Sequence, residues 1–311
     1  MDDNGKMLTV DVLLGTFNGQ KYLAEFLDSL LNQQIVSINL IVSDDGSTDS
    51  TLSVLNDYKS KFNKFTLVSG PKEGAARNYL SLSKLSTSEF VAFADQDDIW
   101  DANHLIDSIH RIKNEDNTPA LSYCAMREFD NASGTIIRIW PAKDSILNIN
   151  SILLQNYARG CTIVMNRSAA DLLNSVTPER LLMHDWWALL IAYTHGTVKF
   201  GSRPEITYRL HDSNQIGIPS RFRSRLNFLN QLSKGKWAPF GQALDLKEHF
   251  GMTMQAQDLV NLDKLLALKE FNLNSHLNFA LGKSPFKSAN VDNLWLKYAT
   301  FLIPIATRNW R

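Results

Sequence analysis

The stretch VDVLLGTF, residues 10–17, decides the fold class. It is an apolar run that ends at Gly15 and Thr16, after which apolar residues recur at helical spacing from Tyr22 to Leu31. The start of the chain is therefore predicted to form a buried strand followed by an amphipathic helix.

The same unit recurs three more times along the chain. Further strands are predicted at 38–47, 65–70 and 90–95, and helices after Asp49, from about Ala75 and from about Ala102. Fully apolar strands that alternate with helices predict a mostly parallel sheet covered by helices on both faces. In such sheets the loops after the carboxyl ends of the strands converge, and ligands bind there.

After about residue 120 the alternation becomes less regular. Strands are predicted at 120–129, 135–140 and 160–166, with two short ones at TVKF (197–200) and ITYRL (206–210). Helices are predicted at 151–158 and at HDWWALLIAYTHG (184–196). From Arg221 the pattern is helical, with breaks expected at Pro239, Gly251 and Pro285.

The composition is that of a folded globular protein. Of the 311 residues, 44% are hydrophobic and 21% are charged, and 32 basic residues balance 32 acidic ones. The balance gives no overall field to attract nucleic acid, although residues 221–311 are basic and residues 1–220 are acidic. The two cysteines, Cys124 and Cys161, are too few for a disulfide framework and are typical of a reducing compartment.

No targeting or membrane-spanning segment is predicted. The N-terminal residues MDDNGKMLTV carry acids where a signal peptide has bases. No run of about 18 or more apolar residues occurs. The nearest approach, LWLKYATFLIPIA at 294–306, is interrupted by Lys297 and Pro304. We therefore expect a cytoplasmic protein.

Three carboxylates crowd behind the fourth predicted strand, in FADQDDIW at residues 93–100. Asp95, Asp97 and Asp98 raise one another's pKa unless a cation lies among them. Their oxygen ligands favour Mg²⁺ or Mn²⁺. A zinc site is not indicated, because the histidines are dispersed along the chain. Capping of the next helix is the alternative interpretation of an Asp at this place.

A second acidic pair, Asp44 and Asp45, follows another predicted strand. Gly46 and Ser47 predict a tight turn that leads to Asp49 as a helix N-cap. Either carboxylate of the pair can accept hydrogen bonds from a nucleobase imide or a ribose.

Together these motifs resemble a known family. VDVLLGTFNGQKYLAEFLDSLLNQ, IVSDDGSTDST and FVAFADQDDIW, in this order, resemble the family-2 glycosyltransferases, which are inverting enzymes of the GT-A fold. RGCTIVMNRS (159–168), HDWW (184–187) and YRLHDSNQIG (208–217) are similar to the bacterial rhamnosyltransferase branch of that family. The resemblance covers about residues 8–220.

The resemblance implies an α/β architecture with a Rossmann-like, mostly parallel sheet flanked by helices, and a C-terminal helical extension. It implies a catalytic domain at 1–220, with a nucleotide-sugar half at about 1–115 and an acceptor half at 116–220. The helical region 221–311 follows.

The resemblance also implies roles for particular residues. The nucleotide-sugar site would be formed by Thr16, Asn18, Asp44, Asp45, Arg77, Asp95, Gln96, Arg209 and His211. The metal, Mn²⁺ or Mg²⁺, would be held by Asp97, Asp95 and His211. The catalytic base would be Asp185, and the acceptor or sugar pocket would include His184, Trp186 and Trp187. The DQDD sequence leaves open which carboxylates touch the ion.

The chemistry of an inverting transfer agrees with these roles. One carboxylate must take the proton of the acceptor hydroxyl, while a metal stabilises the departing diphosphate. Asp185 lies at the start of an apolar predicted helix, where Trp186 and Trp187 can exclude water and offer a stacking surface. Capping of that helix is the alternative role for Asp185.

The function implied is transfer of a sugar, L-rhamnose or another hexose, from a dTDP- or UDP-sugar to a lipid-linked saccharide in bacterial surface polysaccharide synthesis (O-antigen or capsule). Two alternatives are a nucleotidyltransferase and a non-catalytic saccharide-binding protein. Nucleotidyltransferases that form sugar nucleotides resemble one another in a Gly- and Arg-rich loop after the first strand. VDVLLGTFNGQ has no basic residue, which counts against the first alternative. The second conflicts with the presence of both Asp97 and Asp185.

The basic tail suggests where the protein works. Residues 221–311 carry Trp and Phe beside their basic residues, which fits binding to an anionic membrane surface on the cytoplasmic face of the inner membrane. Packing or homodimerisation is the alternative role for this region.

Overall fold

The structure, a computed structural model, describes residues 7–115, 117–141, 147–211 and 238–267. These residues form two compact units. The first contains the described residues up to 141 with 157–177 and 183–211, and the second contains 147–156, 178–182 and 238–267.

The front of the chain alternates strands and helices. In order these are β1 (Leu8–Thr16), α1 (Leu23–Leu31), β2 (Val36–Asp44), α2 (Thr51–Tyr58), β3 (Lys64–Ser69), α3 (Ala75–Ser83), β4 (Phe90–Asp95), the short β5 (Ile99–Trp100) and α4 (His104–Ile112). A 3₁₀ turn at Lys59–Lys61 follows α2. The strands and helices predicted for this part are confirmed.

The later elements follow a less regular order. They are β6 (Ala120–Asp130), β7 (Thr135–Trp140), α5 (Ile149–Ile152), a 3₁₀ turn (Gly160–Thr162), β8 (Val164–Asn166), α6 (Arg167–Asn174), α7 (His184–His195), β9 (Thr197–Leu210), α8 (Ala238–Phe250) and α9 (Ala256–Ala267).

The described strands form one sheet in the order β3-β2-β1-β4-β8-β6-β9-β5, with β7 paired to β6. β1 runs parallel to β2 and β4, and β2 runs parallel to β3. The direction then alternates: β8 is antiparallel to both β4 and β6, whereas β6 and β9 are parallel. The front half of the sheet is thus parallel, as predicted, and the back half is mixed.

Burial of apolar side chains holds β1 inside the sheet. Val10, Val12, Leu13 and Leu14 of β1 have no exposed surface. Both faces of the strand are therefore covered, which explains why its sequence is continuously apolar rather than alternating.

The register aligns the strand ends that carry the polar motifs. Thr16 of β1 pairs with Asp44 of β2, and Gly15 pairs with Asp95 of β4. Ser69 at the end of β3 pairs with Asp44 in turn. The carboxyl ends of these strands therefore lie side by side at one edge of the sheet.

The later part differs from the sequence prediction in four places, the last of which is β9. The strand expected at 160–166 is a 3₁₀ turn followed by β8, and the helix expected at 151–158 is the single turn α5. Helix α6 was not predicted, although Asn166 signals it: this N-cap side chain accepts the N–H of Ala169.

The two short strands expected at TVKF and ITYRL form one strand, β9. The register against β6 shifts between Cys124 and Met126, where Cys124 pairs with Gly201 and Met126 pairs with Ile206. Because β6 is long enough to pair with both segments, the chain crosses its Gly201–Pro204 interruption as a bulge rather than a loop.

In the second unit, α9 packs against α8 and α5. Arg180 contacts the buried Asp245 through its backbone N–H (2.5 Å) and through Nη1 (2.6 Å). The helix break expected at Gly251 is confirmed, whereas Pro239 lies in the first turn of α8. The first N–H groups of a helix make no hydrogen bond within the helix, so a proline, which has no N–H, is tolerated there.

Some predictions fall outside the described residues. These are the break at Pro285 and the apolar segment 294–306. Within the described ranges, no helix combines the length and the hydropathy needed to cross a membrane.

Asp11 is a buried carboxylate in β1 that fastens the strand to its neighbours. It accepts hydrogen bonds from the backbone N–H of Thr87 (2.6 Å) and Ser88 (2.8 Å), from the Ser88 hydroxyl (2.6 Å) and from Asn39 Nδ2 (2.9 Å). Burial alone raises the pKa of Asp11, but these hydrogen bonds outweigh it and hold the pKa below its usual value.

We predict that Asp11→Asn lowers the free energy of unfolding at neutral pH by about 2 kcal/mol, because an amide cannot accept from all of these donors. The folded-state pKa of Asp11 is depressed, so its contribution is present above the unfolded pKa and is lost as pH falls through the folded pKa. The gap between wild type and variant should therefore narrow below about pH 4. Urea unfolding measures both effects, with the exposed Asp57→Asn as control. Equal stability of Asp11→Asn and wild type would contradict the assignment.

Candidate active site at the carboxyl edge of the sheet

The loops after β1 and β2 are bonded to each other. The Thr16 hydroxyl donates to Asp44 Oδ1 (2.9 Å). Asp44 also accepts from the backbone N–H groups of Gly46 (3.1 Å) and Ser47 (2.8 Å) and from the Ser47 hydroxyl (2.5 Å). The buried Asp44 carboxylate therefore shapes the turn, as predicted for Gly46 and Ser47. Its own contact with a nucleoside stays a prediction.

Asn18 joins the same two loops from the other side. It lies in the left-handed region (φ 48°), and its Oδ1 accepts the N–H of Thr48 (2.9 Å). Its own N–H donates to Ser47 Oγ (2.9 Å). Asp49 accepts the N–H of Thr51 (3.0 Å), one residue outside the N-cap Ser50 of α2. Asp49 thus orders the entry to the helix, although it is not the N-cap residue predicted.

Gln96 connects the acidic loop to the loop after β1. Its Oε1 accepts the N–H of Phe17 (3.0 Å), and its Nε2 donates to the carbonyl of Phe17 (3.0 Å). A Cβ on Gly19 would lie 2.1 Å from Gln96 Oε1, so an alanine there would force the Gln96 amide to move. The amide of Gln96 is thus a clamp between the two loops, and its binding to the nucleotide-sugar stays a prediction.

Asp45 faces the loop after β3. Its Oδ1 accepts the N–H of Lys72 (2.6 Å), which lies in the left-handed region (φ 59°). Gly70 allows this approach, since a Cβ there would lie 2.5 Å from Asp45 Oδ1. Arg77 is half-buried in the first turn of α3. The residues predicted to bind the nucleoside are thus distributed over three adjoining strand ends.

Asp95 lies at the end of β4 and accepts a hydrogen bond from the Tyr79 hydroxyl (2.7 Å). Burial, followed by the charge of Asp97, raises the pKa of Asp95 to about 7, and Asp185 acts in the same direction. Arg159 acts in the opposite direction. The structure therefore brings Asp185 within electrostatic range of Asp95, although about ninety residues separate the two in sequence.

Asp97 and His211, two of the predicted metal ligands, lie in contact. His211 Nε2 lies 2.7 Å from Asp97 Oδ2, and the His211 ring lies 4.8 Å from the ring of Tyr22. The two side chains come from the acidic loop and from the residue after β9. A carboxylate and an imidazole held at this distance can act as two ligands of one divalent cation.

The guanidinium of Arg209 contacts α1, the acidic loop and the turn after β6. Its guanidinium donates to Glu25 Oε2 (2.7 Å), to the carbonyl of Asp97 (3.1 Å) and to Asn131 Oδ1 (3.2 Å). These contacts indicate that Arg209 positions the acidic loop. Contact of Arg209 with a donor diphosphate stays a prediction.

Asp98 forms the floor of the acidic loop. It is buried against the thiol of Cys161, and ligand atoms of Asp95, Asp98 and Cys161 lie within 4.8 Å of one another. Burial, with the charges of Asp97 and Asp95, raises the pKa of Asp98 well above its usual value. Because Mn²⁺ and Mg²⁺ prefer oxygen ligands to a thiol, Asp95, Asp97 and His211 fit such an ion better than the Cys161 group does.

Asp185 is the second residue of α7 and is buried. Its Oδ2 accepts the N–H of Gly160 (3.0 Å), and its Oδ1 accepts the N–H of Trp186 (2.6 Å). The contact with Trp186 agrees with the capping alternative. The contact with Gly160 ties the carboxylate to a second segment beside Asp95, which helix capping does not require.

The predicted acceptor pocket residues are more buried than expected. His184 stacks on Tyr79 (ring centroids 4.0 Å apart) and meets Phe93 edge-on, and burial lowers its pKa to about 3. Trp187 has no exposed surface and Trp186 is 7% exposed. The sugar-stacking surface expected of Trp187 is therefore a packing surface in this structure, because α7 is buried on nearly all sides.

Two segments that contribute to the site were missed in the sequence. Tyr79 carries no signal beyond helical spacing, yet its hydroxyl bonds to both Asp95 and the carbonyl of Ala94 (2.5 Å). Arg159 and Gly160 belong to the RGCTIVMNRS motif, which indicated the family without indicating which atoms act. Both depend on contacts between segments distant in sequence.

A family model of glycosyl transferase family 2 matches residues 11–171, more than half of the chain. The chain belongs to this family. The match contains the strand ends that carry Thr16, Asp44 and Asp95, and it confirms the resemblance inferred from the motifs.

Relatives of this family-2 glycosyltransferase agree with the assignment. The dTDP-rhamnosyl transferase RfbG of Shigella flexneri is 26% identical over 251 residues, which is 72% of this chain and 80% of the relative. The crystal structure of S. aureus TarS matches with a TM-score of 0.60 at 17% identity, over 96% of this chain and 53% of that chain. The present chain thus spans about half of that TarS chain.

A second solved structure also has the same fold. The mannosyltransferase PcManGT from Pyrobaculum calidifontis, in complex with GDP-Man and Mn²⁺, matches with a TM-score of 0.55 at 16% identity, over 99% of this chain and 89% of that chain. These matches confirm the GT-A architecture expected from the sequence.

We predict that Mn²⁺ binding weakens about tenfold between pH 8 and pH 6, because a carboxylate must lose its proton to bind a metal and the pKa of Asp95 is about 7. Titration calorimetry with Mn²⁺ alone measures this. Asp95→Asn should bind more weakly and lose most of the pH dependence. Equal wild-type affinities at the two pH values would contradict the participation of Asp95.

A second prediction concerns the clamp at Gln96. Gly19→Ala should displace the Gln96 amide, so Gly19→Ala and Gln96→Ala should each weaken binding of dTDP or UDP about fivefold through loss of loop order. The double variant should resemble either single one, because both remove the same contact. Losses of affinity that add in the double variant would show that the contact between Gln96 and the loop after β1 is not their common cause.

Proposed function

We propose that the protein transfers a sugar from a nucleotide-sugar donor with inversion at the anomeric carbon, as a step in the synthesis of a bacterial surface polysaccharide such as O-antigen or capsule. The single observation that carries the proposal is the position of Asp185. This carboxylate lies within electrostatic range of Asp95 and is bonded to Gly160, in the segment whose Cys161 lies beside Asp95.

Asp185 is proposed as the base. Its two oxygens are held by the backbone N–H groups of Gly160 and Trp186, which fixes the direction of the remaining lone pairs. An inverting transfer needs a carboxylate held in this way to accept the proton of the acceptor hydroxyl as that oxygen attacks the sugar. The proton passes to Asp185 and the diphosphate leaves with the electron pair, so no covalent intermediate is needed.

Asp97, Asp95 and His211 are proposed to hold Mn²⁺ or Mg²⁺. When bound, the ion supplies positive charge that stabilises the departing diphosphate. The chain itself contributes the geometry: Arg209 holds the carbonyl of Asp97, and Tyr79 holds Asp95. The Mn²⁺ in the PcManGT complex supports this use of a cation.

A dTDP- or UDP-linked donor is proposed, with L-rhamnose or another hexose as the sugar. The name of the RfbG relative supports dTDP-rhamnose, and a TarS structure in complex with UDP-GlcNAc supports a UDP-sugar. The acceptor is proposed to be a lipid-linked saccharide. Binding of an anionic membrane surface through 221–311, and homodimerisation through it, remain proposals based on its composition.

We predict that Asp185→Asn lowers the turnover number by about 10²- to 10⁴-fold, because the amide cannot accept a proton. Its affinity for dTDP or UDP with Mn²⁺ should stay within about threefold of wild type, because Asp185 is proposed to act at the acceptor. Turnover of a panel of nucleotide-sugars measures the first effect and calorimetry the second.

The control is Asp57→Asn, an exposed carboxylate on α2, which should keep wild-type turnover. Full activity of Asp185→Asn would refute the base assignment. Release of pyrophosphate from a sugar phosphate and a nucleoside triphosphate would favour a nucleotidyltransferase instead. Sugar binding without turnover would favour a non-catalytic protein.

A further inference from the structure

In the part of the chain that the structure describes, Arg159 lies against aromatic rings rather than against a carboxylate. Among the described residues it forms no ion pair, and its Nε is buried without a hydrogen-bond partner. Other arginines of the described part pair with carboxylates, namely Arg111, Arg127, Arg138, Arg167, Arg180, Arg203 and Arg209. A half-buried guanidinium costs free energy unless an anion partners it.

Two aromatic rings fix the position of this guanidinium. Its central carbon lies 5.5 Å from the ring centroid of Trp140 and 6.0 Å from that of Tyr208. Trp140 ends β7 and Tyr208 lies in β9, and both strands pair with β6. Cation–π contacts of this kind hold a guanidinium in place without occupying its N–H groups.

The segment that carries Arg159 is part of the active site. The N–H of Gly160 holds Asp185, and Cys161 lies against Asp98. The charge of Arg159 also acts on Asp95. Three successive residues therefore contact or face the proposed base, the floor of the acidic loop and the end of β4.

The charge around Arg159 indicates what it can bind. The described site gathers Asp95, Asp97, Asp98 and Asp185, and Arg209 is engaged with Glu25. An anionic substrate group entering here needs positive charge besides a bound cation. A planar guanidinium with unused N–H groups matches the oxygens of a phosphate, with which it can form two parallel hydrogen bonds.

We infer that Arg159, held by Trp140 and Tyr208, binds a phosphate group of the substrate in the active site. This inference rests on the proposed function. The phosphate can come from the donor diphosphate or from a diphosphate that links the acceptor saccharide to its lipid. Both sources present the same oxygens to the guanidinium.

The test compares Arg159→Gln, Arg159→Lys and wild type, after a donor and an acceptor with wild-type turnover have been found. KM is measured for the nucleotide-sugar, for a saccharide on an alkyl diphosphate, and for the same saccharide on a neutral alkyl chain. Arg203→Gln, which removes an exposed arginine of β9 paired with Asp107, is the matched control and should behave as wild type. Thermal melting confirms that each variant is folded.

Arg159→Gln should raise KM at least tenfold for one phosphate-bearing substrate and leave KM for the neutral acceptor unchanged. Arg159→Lys should give a KM between those of wild type and Arg159→Gln, because lysine keeps the positive charge but cannot form two parallel hydrogen bonds. A rise for the nucleotide-sugar assigns the donor as the source, and a rise confined to the alkyl diphosphate assigns the acceptor. Unchanged KM values for both, or an equal rise for the neutral acceptor, would overturn the inference.

Failure of the proposed function would be visible separately. If wild type turns over no nucleotide-sugar, the transferase proposal fails. In that case calorimetry with nucleoside diphosphate and with alkyl diphosphate still compares Arg159→Gln with wild type. Equal affinities for both ligands would overturn the phosphate assignment without reference to activity.

Discussion

The parallel register of β1 with β2 and β4 is the constraint on which the site depends. It sets Thr16 beside Asp44 and Gly15 beside Asp95. A shift by one residue would turn the side chains to opposite faces and bury or remove the polar groups that now meet at the edge. Side-chain hydrogen bonds between segments hold this register: Thr16 bonds to Asp44, and Asp11 bonds to Asn39 and Ser88.

Within this register, carboxylates that repel one another are held together by contacts with neighbouring side chains. Asp95, Asp97 and Asp98 lie together because the turn after β4 is short, and burial makes their mutual repulsion costly. Each carboxylate lies beside a side chain that is not an anion. The Tyr79 hydroxyl contacts Asp95, His211 contacts Asp97, and the Cys161 thiol lies near Asp98. These contacts place the acidic groups without neutralising them all. An arrangement of this kind is suited to hold a cation and a phosphate-bearing ligand.

The sequence was sufficient for features that are local in the chain. Apolar runs followed by acids predicted the ends of β2 and β4, and the apolar stretch after Met183 predicted α7 with Asp185 in its first turn. What failed depended on pairing between distant segments. Two predicted short strands became one because β6 spans both. The importance of Arg159 was hidden in the same way, since Trp140 and Tyr208 approach it only in the folded sheet.

The central claim is that the acidic edge of the sheet holds a divalent ion shared with a diphosphate, within reach of Asp185. Anomalous diffraction from crystals grown with Mn²⁺ and dTDP tests it most directly. We expect one strong manganese peak bonded to Asp97 and a diphosphate oxygen, with Asp185 facing the vacant sugar position. A manganese peak elsewhere, or a diphosphate bound away from the ends of β1 and β4, would contradict the account.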